Sequence, residues 1–304
     1  MAAKSKTFGF GSSKVTRVTR LARKSNVAGL FKGLLFFCFL AAVLAGFVFL
    51  DGFVKKQMSP TSAGRTIELA GVIPNWVSEE IKNRVIAAAT SDTSAPQLNG
   101  NAAASIQQNV ARLVPWLADV KVRTAHDSIQ ISGRWRKPIA LVTAGKEKFF
   151  LDTDLVVLDY IPVSDLPVVT VAGLQFDKHP PATGETWKGD DLAAALAVLS
   201  RLERMDNATC PDKPLLRLID RIDVSNFNGR EKKRDPHIIL YTKDDTQIIW
   251  GAEIGAWQRH LESPDDDKLA KLYTFYQQNP ALSGVKYINL RDPQQTILLP
   301  VDKY

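Results

Sequence analysis

Hydrophobic and polar positions change rhythm three times along the chain. Residues 33–50 (GLLFFCFLAAVLAGFVFL) run for eighteen positions without a charge. At a helical rise of about 1.5 Å per residue this run covers about 27 Å, near the hydrocarbon thickness of a bilayer. Twelve of the eighteen are Leu, Phe or Val, each favouring insertion by about 0.3–0.6 kcal/mol at the helix centre. The pattern predicts a single N-terminal transmembrane helix over 33–50. A linker over 51–64 follows, small, polar and Pro-containing in its second half.

From residue 65 the rhythm alternates between periods of two and of three to four. Residues 66–70 (TIELA) predict a short strand with Ile67 and Leu69 on one face. Ser78 predicts a helix cap, with Glu79 and Glu80 in the first turn and Ile81, Val85 and Ile86 at helical spacing. Residues 90–101 have loop composition. A second helix from about Ala102 places Ile106, Val110, Leu113 and Val114 on one side, and Pro115-Trp116 ends it. Runs 119–124 (DVKVRT) and 128–134 (SIQISGR) then predict a hairpin, with Val120, Val122, Ile129 and Ile131 on its period-two faces. The order is strand, helix, helix, strand, strand.

Beyond Pro138 strands dominate, at 139–144, 148–152, 156–158 and 168–172, then at 219–224, 237–242 and 247–250. One amphipathic helix over 190–205 carries Leu192, Leu196, Leu199 and Leu202. Ser263 as cap, Pro264 at the first helical position and Asp265–Asp267 behind it predict a further helix buried through Leu269, Leu272, Tyr273 and Tyr276. A final hairpin is expected from 285–290 and 296–299, its last strand either closed into a sheet or left as an open edge. The fold class is α+β: a βααββ domain over 65–137, then a mixed β-rich domain with flanking helices over 138–304.

Charge orients the chain. Of 39 Lys and Arg, eight lie within residues 1–32, where there is no acid; the remainder is nearly neutral, with 31 bases against 32 acids. The positive-inside rule keeps this basic tail cytoplasmic and exports residues 51–304; Lys55 and Lys56 weaken the asymmetry without reversing it. A cleaved signal peptide is disfavoured by the long charged region, an apolar run beyond the usual length, and no convincing A-x-A site after Ala45. Topology accounts for the tail's bases, so no nucleic acid is expected.

Composition offers little catalytic chemistry. Cys38 lies in the span and Cys210 is alone outside it, so two exported cysteines cannot pair. The histidines His126, His179, His237 and His260 are scattered, without an i, i+4 pair. No zinc motif, nucleophile elbow or phosphate loop occurs. A helix start explains Asp265–Asp267 better than a cation site does, and the sequon at Asn207 carries little weight. No catalytic residue, cofactor or metal is expected, and the chain reads as a non-enzyme.

The βααββ unit placed behind one N-in span resembles the POTRA module, and that unit followed by a strand-rich domain is similar to the cell-division protein family FtsQ, called DivIB in other lineages. The resemblance rests on Ile67–Gly71 with the capped start at Ser78, Pro115-Trp116 leading to Val120 and Val122, and Trp135-Arg136-Lys137-Pro138-Ile139-Ala140. It continues through Phe150-Leu151-Asp152 with Val156, Leu166-Pro167 with Gly173, and Tyr287-Ile288-Asn289-Leu290-Arg291. Departures mark a divergent member: Asn289 replaces the usual acid, the 90–101 loop is enlarged, and 207–214 and 229–236 are long insertions.

The resemblance implies a non-catalytic bitopic scaffold of the bacterial divisome, in the inner membrane at the septum with its C-terminal domain periplasmic. It implies partners of the FtsB and FtsL kind, small coiled-coil proteins, at the C-terminal hairpin. Strand addition there would involve Tyr287, Arg291, Thr296, Ile297, Leu298 and Leu299. A further division partner is expected on the POTRA-like unit through 128–134 as its outer strand. An outer-membrane assembly component would need a barrel for which this chain lacks residues. An envelope-anchored POTRA-containing binding or sensory module outside division fits the same topology.

Overall fold

The computed structural model describes residues 66–91, 101–125, 128–175, 180–282, 284–285 and 287–294, with Val43, Ala45 and Gly46 upstream. The chain divides into two units, Met1–Gly64 and Arg65–Tyr304. In the first, Val43, Ala45 and Gly46 are helical and exposed; the expected tail, span and linker otherwise lie outside the described residues. Among the described residues no helix is long and apolar enough to cross a membrane.

The second unit is mixed α+β. Its first part runs β1 (Thr66–Leu69), α1 (Glu79–Thr90), α2 (Asn101–Leu113), β2 (Leu117–Thr124) and β3 (Ser128–Trp135). Ser78 caps α1, its hydroxyl accepting the Ile81 N–H at 3.4 Å. Ile81 and Val85 of α1 and Ile106 and Val110 of α2 are buried with Val120, Ile129 and Ile131 of the sheet. Two expectations change here. Leu113 is 51% exposed while Val114 turns inward, because the helix ends at Leu113 and the next residue leaves the helical phase. The sheet order is β1-β3-β2, so 128–134 is the central strand rather than an outer one. The parallel pairing of β1 with β3, Ile67 opposite Ile129, occupies the edge that the hairpin alone leaves open.

The second sheet has the order β11-β10-β9-β8-β7-β4-β5-β6. Its strands are β4 (Ala140–Ala144), β5 (Glu147–Leu151), β6 (Val157–Asp159), β7 (Val169–Ala172), β8 (Ile219–Asp223), β9 (Ile238–Thr242), β10 (Gln247–Gly251) and β11 (Tyr287–Asn289). The helices are α3 (Asp190–Thr209), α4 (Trp257–His260) and α5 (Asp265–Gln278). β7–β8 and β10–β11 are parallel pairs, and parallel neighbours need a crossover, which α3 and α5 supply. Leu192, Leu196, Leu199 and Leu202 of α3 join Leu269, Leu272, Tyr273 and Tyr276 of α5 in one core beneath the sheet.

Successive strand residues face opposite ways, and at β5 and β6 both faces are buried. Leu151 and Val157 enter the core with α3 and α5, whereas Phe150 and Leu158 enter the core of the βααββ part. The second hydrophobic core thus crosses Pro138. The ion pair Arg136–Asp152, at 2.6 Å with the carboxylate almost wholly buried, reinforces the crossing. Gly173, in the left-handed region at φ 76, lies where a Cβ would come within 2.3 Å of the Ser225 backbone nitrogen, so the turn after β7 admits no side chain.

The segments 207–214 and 229–236 fold around buried polar anchors. Asp206 accepts the N–H groups of Leu215 at 2.8 Å and Leu216 at 3.0 Å, closing the segment after α3. The Asn226 side chain holds the segment before β9 by accepting from Glu231 and Lys232 N–H and donating to the Lys232 and Asp235 carbonyls. The cap of α5 also differs from expectation. Pro264 occupies the N-cap position, and the Ser263 hydroxyl donates to the Arg291 carbonyl at 3.2 Å. Docking of this turn on the strand end outweighs local capping.

Candidate functional site

The β11 end of the large sheet holds the C-terminal candidates that the structure describes. β11 pairs with β10 in parallel register, Gln247 opposite Tyr287 and Ile249 opposite Asn289. Alternation buries Ile288 and Leu290 completely and leaves Tyr287 half exposed. β11 is the last strand in the order, so among the described residues its outer edge meets no other strand. Lys271 of α5 reaches that end, donating to the Asn289 carbonyl at 3.1 Å and the Asp292 carbonyl at 3.3 Å. Burial lowers the Lys271 pKa, against the opposing influence of Asp292.

Arg291 is engaged internally. Its Nε donates to Glu262 Oε1 at 2.7 Å, and its carbonyl accepts the Ser263 N–H at 2.7 Å. The other Glu262 oxygen accepts from Lys268 Nζ at 2.7 Å and the Ala252 N–H at 2.9 Å. Lys268 is fully buried, its ammonium 5.3 Å from the Trp250 ring centroid. Burial alone would raise the Glu262 pKa, but the bonds from Lys268, Ala252 and Arg291 hold the carboxyl below its ordinary value. Gly251 has φ 98, and a Cβ there would fall 2.2 Å from a Glu262 oxygen. The glycine after Trp250 therefore lets the carboxylate reach the strand end. Tyr287 and Arg291 are thus brought to one sheet end, Tyr287 facing outward and Arg291 fixing the end from behind. Thr296, Ile297, Leu298 and Leu299 lie outside the described residues.

Histidines that the sequence scatters are brought together by the fold. His237 and His260 approach with ring centroids 4.7 Å apart, and His237 Nδ1 lies 3.4 Å from Glu253 Oε2. Nothing in the spacing announces this, because the three residues meet only after β9 and β10 have paired. His126 and His179 lie outside the described residues. At the acidic start of α5, Asp265 accepts the Gly255 N–H through Oδ2 at 2.7 Å and Asp266 accepts from Arg201 at 3.2 Å. Cys210, partly buried at the end of α3, donates to Asp206 at 3.4 Å, and burial pushes its thiol pKa up, opposite to the activation a nucleophile needs.

Two shallow hollows accompany these features. One of about 230 Å³ is lined by Asp165, Pro167, Arg217 and Lys243 among others. The other, of about 210 Å³, lies between α3 and α5 at Arg201 and Asp266. Both are smaller than the roughly 300–1,000 Å³ of ordinary small-molecule sites. Compared with known proteins, the sequence matches no protein-family model and no curated protein.

Proposed function

We propose that this chain is a divergent FtsQ/DivIB-like protein: a non-catalytic, single-pass scaffold of the bacterial division machinery, anchored by 33–50 in the inner membrane. Its folded part works outside the cytoplasm at the septum, linking early and late division proteins. The observation that carries this reading is the order of the parts. A βααββ unit of the POTRA kind, with sheet order β1-β3-β2, leads through a shared core into a sheet whose last strand begins the run Tyr287-Ile288-Asn289-Leu290-Arg291.

The β11 edge supports docking by strand addition. An unpaired strand edge presents backbone donors and acceptors to an incoming chain, and exposed alternate side chains supply selectivity. Tyr287 is such a side chain; Thr296–Leu299 extend the same candidate surface in sequence. The expected occupants are small coiled-coil division proteins of the FtsB and FtsL kind. The POTRA-like unit offers a second surface, and β1 and β2, the edge strands of its sheet among the described residues, replace the central β3 as the place for it.

Two experiments test the reading. A fluorescent fusion should concentrate at midcell, and depletion should give filamentous or division-blocked cells; uniform envelope staining with normal division would sink it. Affinity capture with the full chain should recover coiled-coil division proteins. Capture of an envelope signalling partner in their place, with division intact, would favour a sensory module.

A further inference from the structure

We propose that His237, Glu253 and His260 form a site for a divalent transition metal, zinc in preference to magnesium or calcium. The three come from separate elements. His237 immediately precedes β9, Glu253 follows β10, and His260 ends α4. Ile238 stands opposite Gly251 in the antiparallel β9–β10 pair, so the start of β9 lies beside the exit of β10. Leu261, left-handed at φ 53, ends α4 and sets where His260 stops.

Their ligand atoms all lie within 4.8 Å of one another. Two ligands bound at about 2.0–2.1 Å on a tetrahedral ion stand about 3.4 Å apart. The His237 Nδ1 to Glu253 Oε2 separation is 3.4 Å, and small side-chain rotations bring the third donor into place. The His237 and His260 rings are steeply inclined at 78° rather than stacked. A hydrogen-bonded His–Glu pair and an edge-to-face ring contact hold the three side chains together, and they leave three donors of complementary chemistry close enough to take one ion.

The donor set points to the class of metal. Two imidazoles and one carboxylate suit zinc, and cobalt as its substitute, whereas magnesium and calcium demand oxygen shells. His237 is buried and the Glu253 side chain is 26% exposed, an enclosure open enough to admit an ion and leave a fourth position for water. The neighbouring Glu262 is already held by Lys268 and Arg291, so Glu253 is the carboxylate left for the ion. Bound there, the metal ties α4 to the start of β9 on the approach to the β10–β11 edge.

The test uses the tag-free full-length chain, stripped with chelator and titrated with Zn²⁺ and with Co²⁺. The expected result is one ion per chain, a rise in Tm with Zn²⁺ because the ion binds the folded state, and a tetrahedral Co²⁺ absorption band. His260→Gln and Glu253→Gln should each weaken Zn²⁺ binding about tenfold or more and abolish that band, while circular dichroism of the metal-free proteins stays unchanged. His237→Gln should do the same, with folding monitored separately because this side chain is buried. Failure of the wild-type chain to bind either ion, or equal binding by His260→Gln, Glu253→Gln and wild type, overturns the site. The titration does not depend on any division role, so the two readings fail independently.

Discussion

Trp116 donates its indole N–H to Asp159 at 2.8 Å, and this bond joins the turn between α2 and β2 to the outermost strand of the other sheet. The Trp116 ring is completely buried and meets Phe150 edge-on at 6.1 Å. Asp159 also receives Arg84 of α1. The junction between the two sheets is therefore a packed core with polar bonds at its margin.

Trp116→Ala should remove about 3–5 kcal/mol of stability, read as a lower midpoint in urea. Because Trp116 shares its core with Phe150, Val156, Leu158 and Ile161, both sheets should lose stability in one transition. Two separate transitions in the wild-type protein would show that the shared core does not couple them.

Glu262 sets an acid limit. Burial opposes its ionisation, but the bonds from Lys268, Ala252 and Arg291 prevail and hold its pKa below the ordinary 4.5. A carboxylate with a depressed folded pKa contributes stability that is present above the unfolded value and lost as pH falls through the folded one. The wild-type protein should therefore lose stability from about pH 4.5 downward, with a component missing in Glu262→Gln. At neutral pH Glu262→Gln should cost about 3–5 kcal/mol by leaving buried Lys268 without its counter-charge. Adding Lys268→Met should recover part of the loss in urea melts.

Tyr273 acts at the other end of the scale. Its hydroxyl lies 2.7 Å from Asp206 and 2.9 Å from the Leu202 carbonyl. Burial first, and then Asp206, raise the phenol pKa above its ordinary 10.0. The unfolded chain gives up this proton more readily, so the contribution is complete below about pH 10 and is lost as pH rises beyond it. Tyr273→Phe should flatten that alkaline loss in thermal melts. At neutral pH it should cost about 1–3 kcal/mol, because Asp206 loses a buried donor.

At the sheet edge, Tyr287→Ala should weaken capture of the proposed coiled-coil partners by about tenfold, as an aromatic anchor in an interface does, with an unchanged circular dichroism spectrum. Leu298→Pro should abolish capture by removing a backbone donor from the added pairing. Undiminished capture by both variants would move the interface away from this edge, toward β1 or β2.

The sequence by itself determined the local elements. Ser78 with two following acids starts α1, and four leucines at helical spacing place α3 against the sheet. Alternation in 117–135 makes a hairpin. Each of these follows from residues within one or two turns of each other, so the pattern carries its own answer. Strand order did not follow, because β1 reaches β3 across two intervening helices and makes central what the hairpin leaves at an edge. Nor did the division of Phe150 and Leu151 between two cores, since a strand apolar on both faces does not say what covers either. Nothing in the local pattern marks Lys268 for burial, and His237 and His260 lie scattered along the chain. Only the tertiary structure buried the first against Glu262 and brought the other two within ring contact. Charges and imidazoles pair by proximity in space, and for distant residues proximity is decided by the packing of the elements between them.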